Sequence, residues 1–227
     1  SRIVSTNDIA YVWDSQTSEM ISTFQESFSN FTNATYSPDN RFIVTGTWDG
    51  KLKLWDAQTY ELKVEMLEYG YSGSCIAYSP DSRFIASGFD RTYIYIWSSG
   101  GGIFKTLSGH NDFVSCVDFS SDGLLLVSSS WDGSIKIWDA KRGGLIHDLQ
   151  AHTDGTNTVA LNTNGDLLVS GGKDNLVKIW NPQTGELYLQ LEEHTANVTS
   201  VTFSADGRFI ASAGWDGIIR IWGVPNR

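Results

Sequence analysis

The sequence predicts an all-β fold, a β-propeller of four-stranded antiparallel blades, and three observations carry that prediction. Tryptophans followed by a turn-compatible residue recur at Trp13, Trp55, Trp97, Trp138, Trp180 and Trp222, spaced by 42, 42, 41, 42 and 42 residues. The phrases that end on them repeat: YSPDNRFIVTGTWDGKLKLWD, YSPDSRFIASGFDRTYIYIWS, FSSDGLLLVSSSWDGSIKIWD, LNTNGDLLVSGGKDNLVKIWN and FSADGRFIASAGWDGIIRIWG. Within each phrase, short runs rich in Val, Ile and aromatic residues alternate with Pro-Asp, Asn-Gly or Asp-Gly. That is the pattern of strand, turn, strand, turn, strand.

A further run follows each tryptophan, as in ELKVEM, LIHDL and ELYLQL, so one period holds four strands, a to d in chain order. One such sheet cannot bury both of its faces, and stacking successive sheets round an axis solves the problem. Taken in order, residues 1–25 form a partial blade without strand a. Residues 26–66, 67–107, 108–150 and 151–192 form four blades, and residues 193–227 form a partial blade without strand d. Six blades are thus represented, as part of a six- or seven-bladed ring. A five-bladed ring closed by residues 17–25 against residues 218–222 is an alternative, but it leaves residues 1–14 competing for the same place. The outer edges, strand b at residues 2–6 and strand c at residues 218–222, are expected to lack a partner and to favour self-association.

With this period, the pairs Trp13-Asp14, Trp55-Asp56 and Trp138-Asp139 and the Gly109-His110 dipeptide, the chain resembles the WD-repeat propeller family over nearly its whole length. It departs from the pattern where Ser98, Asn181 and Gly223 follow the tryptophan, each still suited to a turn. Three repeats place Ser, His and Asp at fixed offsets: His110, Asp132 and Trp138 with Ser128 or Ser130; His152, Asp174 and Trp180 with Ser170; His194, Asp216 and Trp222 with Ser212. Their composition is that of a hydrolase triad. A nucleophilic site is needed once per subunit, however, and this set recurs at one spacing. The resemblance implies instead a buried hydrogen-bond chain from Trp through Ser or Thr and His to Asp, tying the d-to-a loop to the b-to-c turn.

The segments SFSNFTN and EYGYSGS supply no His, so Asp49 and Asp90 lack that partner, and Phe31, Tyr69 and Tyr71 are expected to brace those blades instead. His147 falls in an outer strand and reads as a surface residue without metal or catalytic partners. No cofactor is expected.

Composition narrows the function classes. With 227 residues, 41% of them hydrophobic and 13% aromatic, the chain can bury a large core. It has no apolar run of about 18 residues, and SRIVSTNDIA lacks the features of a signal peptide. Membrane partners are not expected. Cys75 and Cys116 sit in apolar runs and read as buried thiols, which fits a reducing, cytoplasmic setting. A net charge of −10 repels a phosphate backbone, which argues against nucleic acid and favours neutral or basic partners.

The remaining signal is a rim. In a meander the b-to-c turns and d-to-a loops emerge at one end, and the residue before the turn acid projects there: Trp48, Phe89, Trp131, Lys173 and Trp215. Four of these five are large aromatics where turn chemistry would favour small polar residues. The resemblance adds the start of strand a to the same mouth: Phe113 and Ser115, Gly155 and Asn157, Asn197 and Thr199, with Asn30 and Thr32 and Ser72 and Ser74 in the blades that lack the His. Trp and Phe over small polar groups is the composition of a protein-binding hot spot. The expected function is a non-enzymatic scaffold that binds a protein or peptide on this rim. The alternatives are an architectural subunit of a larger assembly and the sensor propeller of a larger signalling ATPase-type protein.

Overall fold

The computed structural model describes residues 2–6, 8–25, 30–67, 73–89 and 92–224, and among them strands are the only regular elements. The first sheet holds β1 (Arg2–Thr6), β2 (Ile9–Asp14) and β3 (Met20–Gln25). The second holds β4 (Phe31–Tyr36), β5 (Phe42–Thr47), β6 (Lys51–Asp56) and β7 (Leu62–Leu67), and the third β8 (Gly73–Tyr78), β9 (Phe84–Phe89), β10 (Tyr93–Ser98) and β11 (Ile103–Ser108). The fourth holds β12 (Val114–Phe119), β13 (Leu125–Ser130), β14 (Ser134–Asp139) and β15 (Leu145–Gln150). The fifth holds β16 (Thr156–Leu161), β17 (Leu168–Gly172), β18 (Val177–Trp180) and β19 (Leu187–Leu191), and the sixth β20 (Val198–Phe203), β21 (Phe209–Gly214) and β22 (Ile219–Gly223). Each sheet is an antiparallel meander in chain order, a propeller blade, with its first strand next to the first strand of the following blade.

The same irregularities recur from blade to blade. The register slips at the start of strand a, between Val114 and Cys116, Thr156 and Thr158, and Val198 and Ser200. It slips again at the strand-c tryptophan, between Ile137 and Trp138 or Ile179 and Trp180. Such bulges add twist, which lets flat ladders splay round an axis. The c-to-d turns are closed by the residue after the tryptophan. Asp139 Oδ1 accepts the N–H groups of Lys141 and Arg142 at 3.0 and 2.8 Å, and Asp56 and Asn181 do the same in their blades. Gly133 shows why the b-to-c turn ends on glycine: its φ is +86°, and a Cβ there would lie 2.4 Å from the His152 carbonyl oxygen.

The core lies between blades. Ile135 and Ile137 of β14 pack with Val159, Leu168 and Trp180 of the next blade. Their counterparts on β22, Ile219 and Ile221, are 72% and 65% exposed. β3 pairs with β2 rather than with β22, so the five-bladed closure is not adopted, and among the described residues no ladder joins the first and last sheets. Each strand-c indole N–H bonds a strand-b hydroxyl: Trp13 to Ser5, Trp55 to Thr45, Trp97 to Ser87, Trp138 to Ser128, Trp180 to Ser170 and Trp222 to Ser212, all at 2.8 or 2.9 Å.

One carboxylate joins two blades directly. Asp118 of β12 accepts the Leu161 N–H of β16 at 2.9 Å, and burial pushes its pKa up to about 6. Burial also pushes the Cys116 thiol up to about 11, and its Sγ donates to the Val159 carbonyl of the next blade at 3.4 Å. A thiol held that high is inert.

Trp138→Ala should cost about 3 to 5 kcal/mol, because it opens a cavity against Leu126 and the third blade's Ile94 and Ile96; chemical denaturation measures this. Asp118 titrates near pH 3.9 when unfolded. Its folded value is higher, so its contribution to stability is full below that pH and is lost as pH rises through about 6. Asp118→Asn should therefore match the parent near about pH 4 and exceed it by roughly 1 to 3 kcal/mol at about pH 7.5. A gap independent of pH in paired melting curves would remove this assignment.

Candidate functional site

The repeated Ser, His and Asp residues come together in three blades. His110 Nε2 lies 2.8 Å from Ser128 Oγ, and its Nδ1 lies 3.1 Å from Asp132 Oδ2. The corresponding distances are 2.9 and 2.7 Å for His152 with Ser170 and Asp174, and 2.8 and 2.8 Å for His194 with Ser212 and Asp216. Each hydroxyl also accepts the indole N–H of Trp138, Trp180 or Trp222. In the fourth blade Ser128 is the partner, while Ser130 donates to the Asp112 carbonyl. The three imidazoles and three hydroxyls are buried. A serine enclosed between an indole and an imidazole has no approach for a substrate, so the set holds turn to loop.

Electrostatics follow the same logic. Burial pushes Asp132 up, but the Ser134 hydroxyl and the N–H groups of Asn111 and Ser134 outweigh it and hold the carboxylate at about 2. Burial lowers the pKa of His110, against the pull of Asp132. Asp216 is also held low, against its burial, by His194 and by the Ile218 and Thr195 N–H groups. In the second blade, where no His is present, the Thr47 hydroxyl donates to Asp49 and the Lys51 ammonium lies 3.4 Å from it. Phe31 is buried in the core between the first two blades, whereas Asp90, Tyr69 and Tyr71 lie outside the described residues. His147 is half-buried, and its Nε2 bonds the Gln183 carbonyl of the next blade at 2.8 Å.

The rim residues share one backbone device. The N–H groups of Trp48, Trp131, Lys173 and Trp215 donate to the carbonyls of Asn30, Phe113, Gly155 and Asn197 at 2.9 to 3.0 Å. This bond pins the turn to the start of strand a and leaves the side chain outside. Trp48, Trp131 and Trp215 are 63%, 45% and 76% exposed. The Phe89 side chain lies outside the described ones. Trp131 is braced by two neighbours: Phe113 stacks on it with centroids 4.7 Å apart, and the Lys173 ammonium sits 3.9 Å from its ring centroid.

The small polar residues beneath the rim are spent within the fold. Ser115 donates to the Thr156 carbonyl of the next blade at 2.6 Å, and Asn157 donates to the Val198 carbonyl at 2.8 Å. Thr199 donates to Ala213 at 3.2 Å within its own blade. Thr32 is half-buried, while Ser72 and the Ser74 side chain lie outside the described ones. Ser134, which donates to Asp132 and lies 3.1 Å from His110 Nδ1, is a part of the fourth-blade network that spacing alone did not mark. Among the described residues no group of His, Cys, Asp and Glu could hold a metal ion, and no helix is long and apolar enough to cross a membrane.

Comparison with known proteins agrees with this architecture. The family model for the WD domain, G-beta repeat, matches residues 18–56, 69–98, 101–139, 143–181 and 185–223. A stretch of 35 residues, 15% of this chain, is 54% identical to cross-pathway control WD-repeat protein 2 of Flammulina velutipes and covers 11% of that protein. A stretch of 36 residues, 16% of the chain, is 50% identical to small ribosomal subunit protein RACK1z of Oryza sativa subsp. japonica, covering 11% of it. Another of 39 residues, 17% of the chain, is 49% identical to the periodic tryptophan protein 2 homolog of Schizosaccharomyces pombe, covering 5% of it. The aligned stretches are thus about one repeat long. With the repeat matched five times across its length and six sheets built to one plan, the chain belongs to the WD-repeat family, whose members are in general non-enzymatic scaffolds for protein interaction.

Proposed function

We propose that this chain is a non-enzymatic recognition domain that binds a peptide or protein segment on the rim formed by its b-to-c turns and d-to-a loops. The observation that carries the reading is the contrast within the repeat. The strand-c tryptophans Trp55, Trp97, Trp138 and Trp180 are buried, whereas Trp48, Trp131 and Trp215, at the turn, stand exposed at one end. A large amphipathic side chain with two torsions, carried on a backbone pinned by its own bond, has little entropy to lose on binding, which is what an anchor needs. Trp131 is pre-oriented further by Phe113 and Lys173. The net charge of −10 favours neutral or basic partners and disfavours nucleic acid.

In the architectural alternative a partner covers the sides of the blades rather than the rim. The two readings differ in which surface a partner covers.

Trp215→Ala should leave the melting temperature unchanged, since the side chain is 76% exposed, and Trp131→Ala should cost at most about 1 kcal/mol. Each should weaken a captured partner by about 2 kcal/mol or more in a binding titration if it is an anchor. A partner indifferent to both substitutions would place binding elsewhere. Asp132→Ala should remove the acceptor of His110 and cost about 1 to 3 kcal/mol, with no change in labelling by a fluorophosphonate serine probe. Labelling of Ser128, Ser170 or Ser212 in the parent protein would overturn the non-enzymatic assignment.

A further inference from the structure

The end of the molecule opposite the rim carries a groove of about 410 Å³ between the third and fourth blades. Its walls are Phe84 and Phe104 from the third blade and Phe119, with Ala140, from the fourth; Ile96 lies at the floor. Phe84 and Phe104 pack with centroids 4.7 Å apart, and Phe104 is exposed. The volume is in the range of sites that take a small ligand or a peptide anchor.

The other joints serve as internal controls, because equivalent positions follow from the shared register. Where this joint has Phe84, Phe104 and Phe119, the joint before it has Phe42, Lys63 and Tyr78. The two joints after it have Leu125, Ile146 and Leu161, and Leu167, Tyr188 and Phe203. Three phenylalanines meet at this joint alone. The a-to-b turns differ as well. Ser121 donates to the Thr163 carbonyl at 2.6 Å, Thr163 donates to the Ala205 carbonyl at 3.1 Å, and the Asp39 N–H donates to Ser82 at 3.1 Å, so three joints are laced shut there. At the open joint the equivalent of Ser121 is Pro80, which has no hydroxyl, and among the described residues no hydrogen bond links the two a-to-b turns. A repeat that needs no opening for its fold has one here, lined with aromatics.

The lips carry opposite charges in different states of engagement. Asp81 accepts the Ser79 hydroxyl and the Arg83 N–H, and Asp122 accepts the Ser120 hydroxyl and the Leu124 N–H, so both carboxylates are drawn into their own turns. Arg83 lies over the Phe84 ring at 5.7 Å, and Lys105 over Phe104 at 5.5 Å while donating to the Lys141 carbonyl. Among the described residues the cationic groups of Arg83, Lys105 and Lys141 form no ion pair. On a chain of net charge −10, three cations outside any ion pair thus stand beside two turn-held carboxylates round an apolar slot.

We infer that the groove between the third and fourth blades is a second docking site, and that it takes a peptide segment of a partner protein with large apolar side chains flanked by carboxylates. The phenylalanines receive the apolar side chains, and Arg83 and Lys141 on the two lips pair with the flanking acids. The site is independent of the rim and has the opposite charge preference, so one molecule can hold two unlike segments at its two ends.

The test is fluorescence anisotropy with a labelled eight-residue peptide carrying Phe and Leu between Asp and Glu flanks, titrated with the whole chain. Saturable binding is expected. It should weaken at least about tenfold when the flanks are Lys, when Phe and Leu become Ser, or in the Phe104→Ser and Arg83→Glu/Lys141→Glu variants. Trp215→Ala should leave it unchanged. Phe104 is exposed, so its variant keeps the parent melting curve, which separates loss of the site from loss of the fold. Absence of saturation at millimolar protein, equal affinity for the Lys-flanked peptide, or sensitivity to Trp215→Ala in place of Phe104→Ser would each overturn the proposal, the last by assigning the peptide to the rim.

Discussion

A buried indole N–H has to find an acceptor, and this chain meets that demand in every blade with a hydroxyl on the neighbouring strand. The bond from strand c to strand b fixes the register of the central ladder and turns the tryptophan toward the preceding blade. Its ring joins the apolar layer there, as Trp138 does with Ile94, Ile96 and Leu126. A hydroxyl can accept and donate at once, so the serine that satisfies the indole still bonds a histidine, and the histidine reaches an aspartate on the b-to-c turn. One polar atom in the core thereby organises a strand pair, a blade joint and a loop.

The stretch SSSWDGSIKIWD contains two Trp-Asp pairs seven residues apart, and they divide the labour. Trp138 is inside and Trp131 is outside. Both acids are structural, by different routes: Asp139 closes the c-to-d turn through backbone N–H groups, and Asp132 anchors the loop histidine. The distinction comes from position in the meander. Trp138 ends a strand whose face the neighbouring blade covers. Trp131 follows the last residue of strand b, where its backbone returns to Phe113 and its side chain lies on the surface, between Phe113, Lys173 and solvent.

Much of this was legible because a repeat averages over local ambiguity. Five copies of a strand pattern separate a true turn from an incidental Gly or Asp, and fixed offsets exposed the Ser, His and Asp sets. The choice between Ser128 and Ser130 was not legible, since both alternate to the same side of one strand and both are buried, and only the partners they meet in the fold tell them apart. Nor were the fates of Ser115 and Asn157, whose side chains reach a carbonyl one repeat away in sequence. No pattern within a blade encodes the distance to the next blade. The reading of His147 as a plain surface residue missed its bond to Gln183 for the same reason.

Lys173 shows how a break in the repeat can extend a site. By sequence it interrupts a rim of aromatics. In the structure its ammonium lies 3.9 Å from the centroid of the Trp131 ring while its backbone N–H bonds Gly155, so it bridges the fourth and fifth blades across that indole. Gly155 is part of that arrangement. Its φ is +125°, and a Cβ there would lie 3.2 Å from the Lys173 side chain. A larger residue would crowd the lysine against the indole. The cation therefore lies over the tryptophan ring and Phe113 stacks against it as well, so the residue keeps 45% of its surface exposed. The ring of Trp131 is thus oriented by its neighbours, whereas Trp48 and Trp215, 63% and 76% exposed, stand freer at the same turn of their own blades.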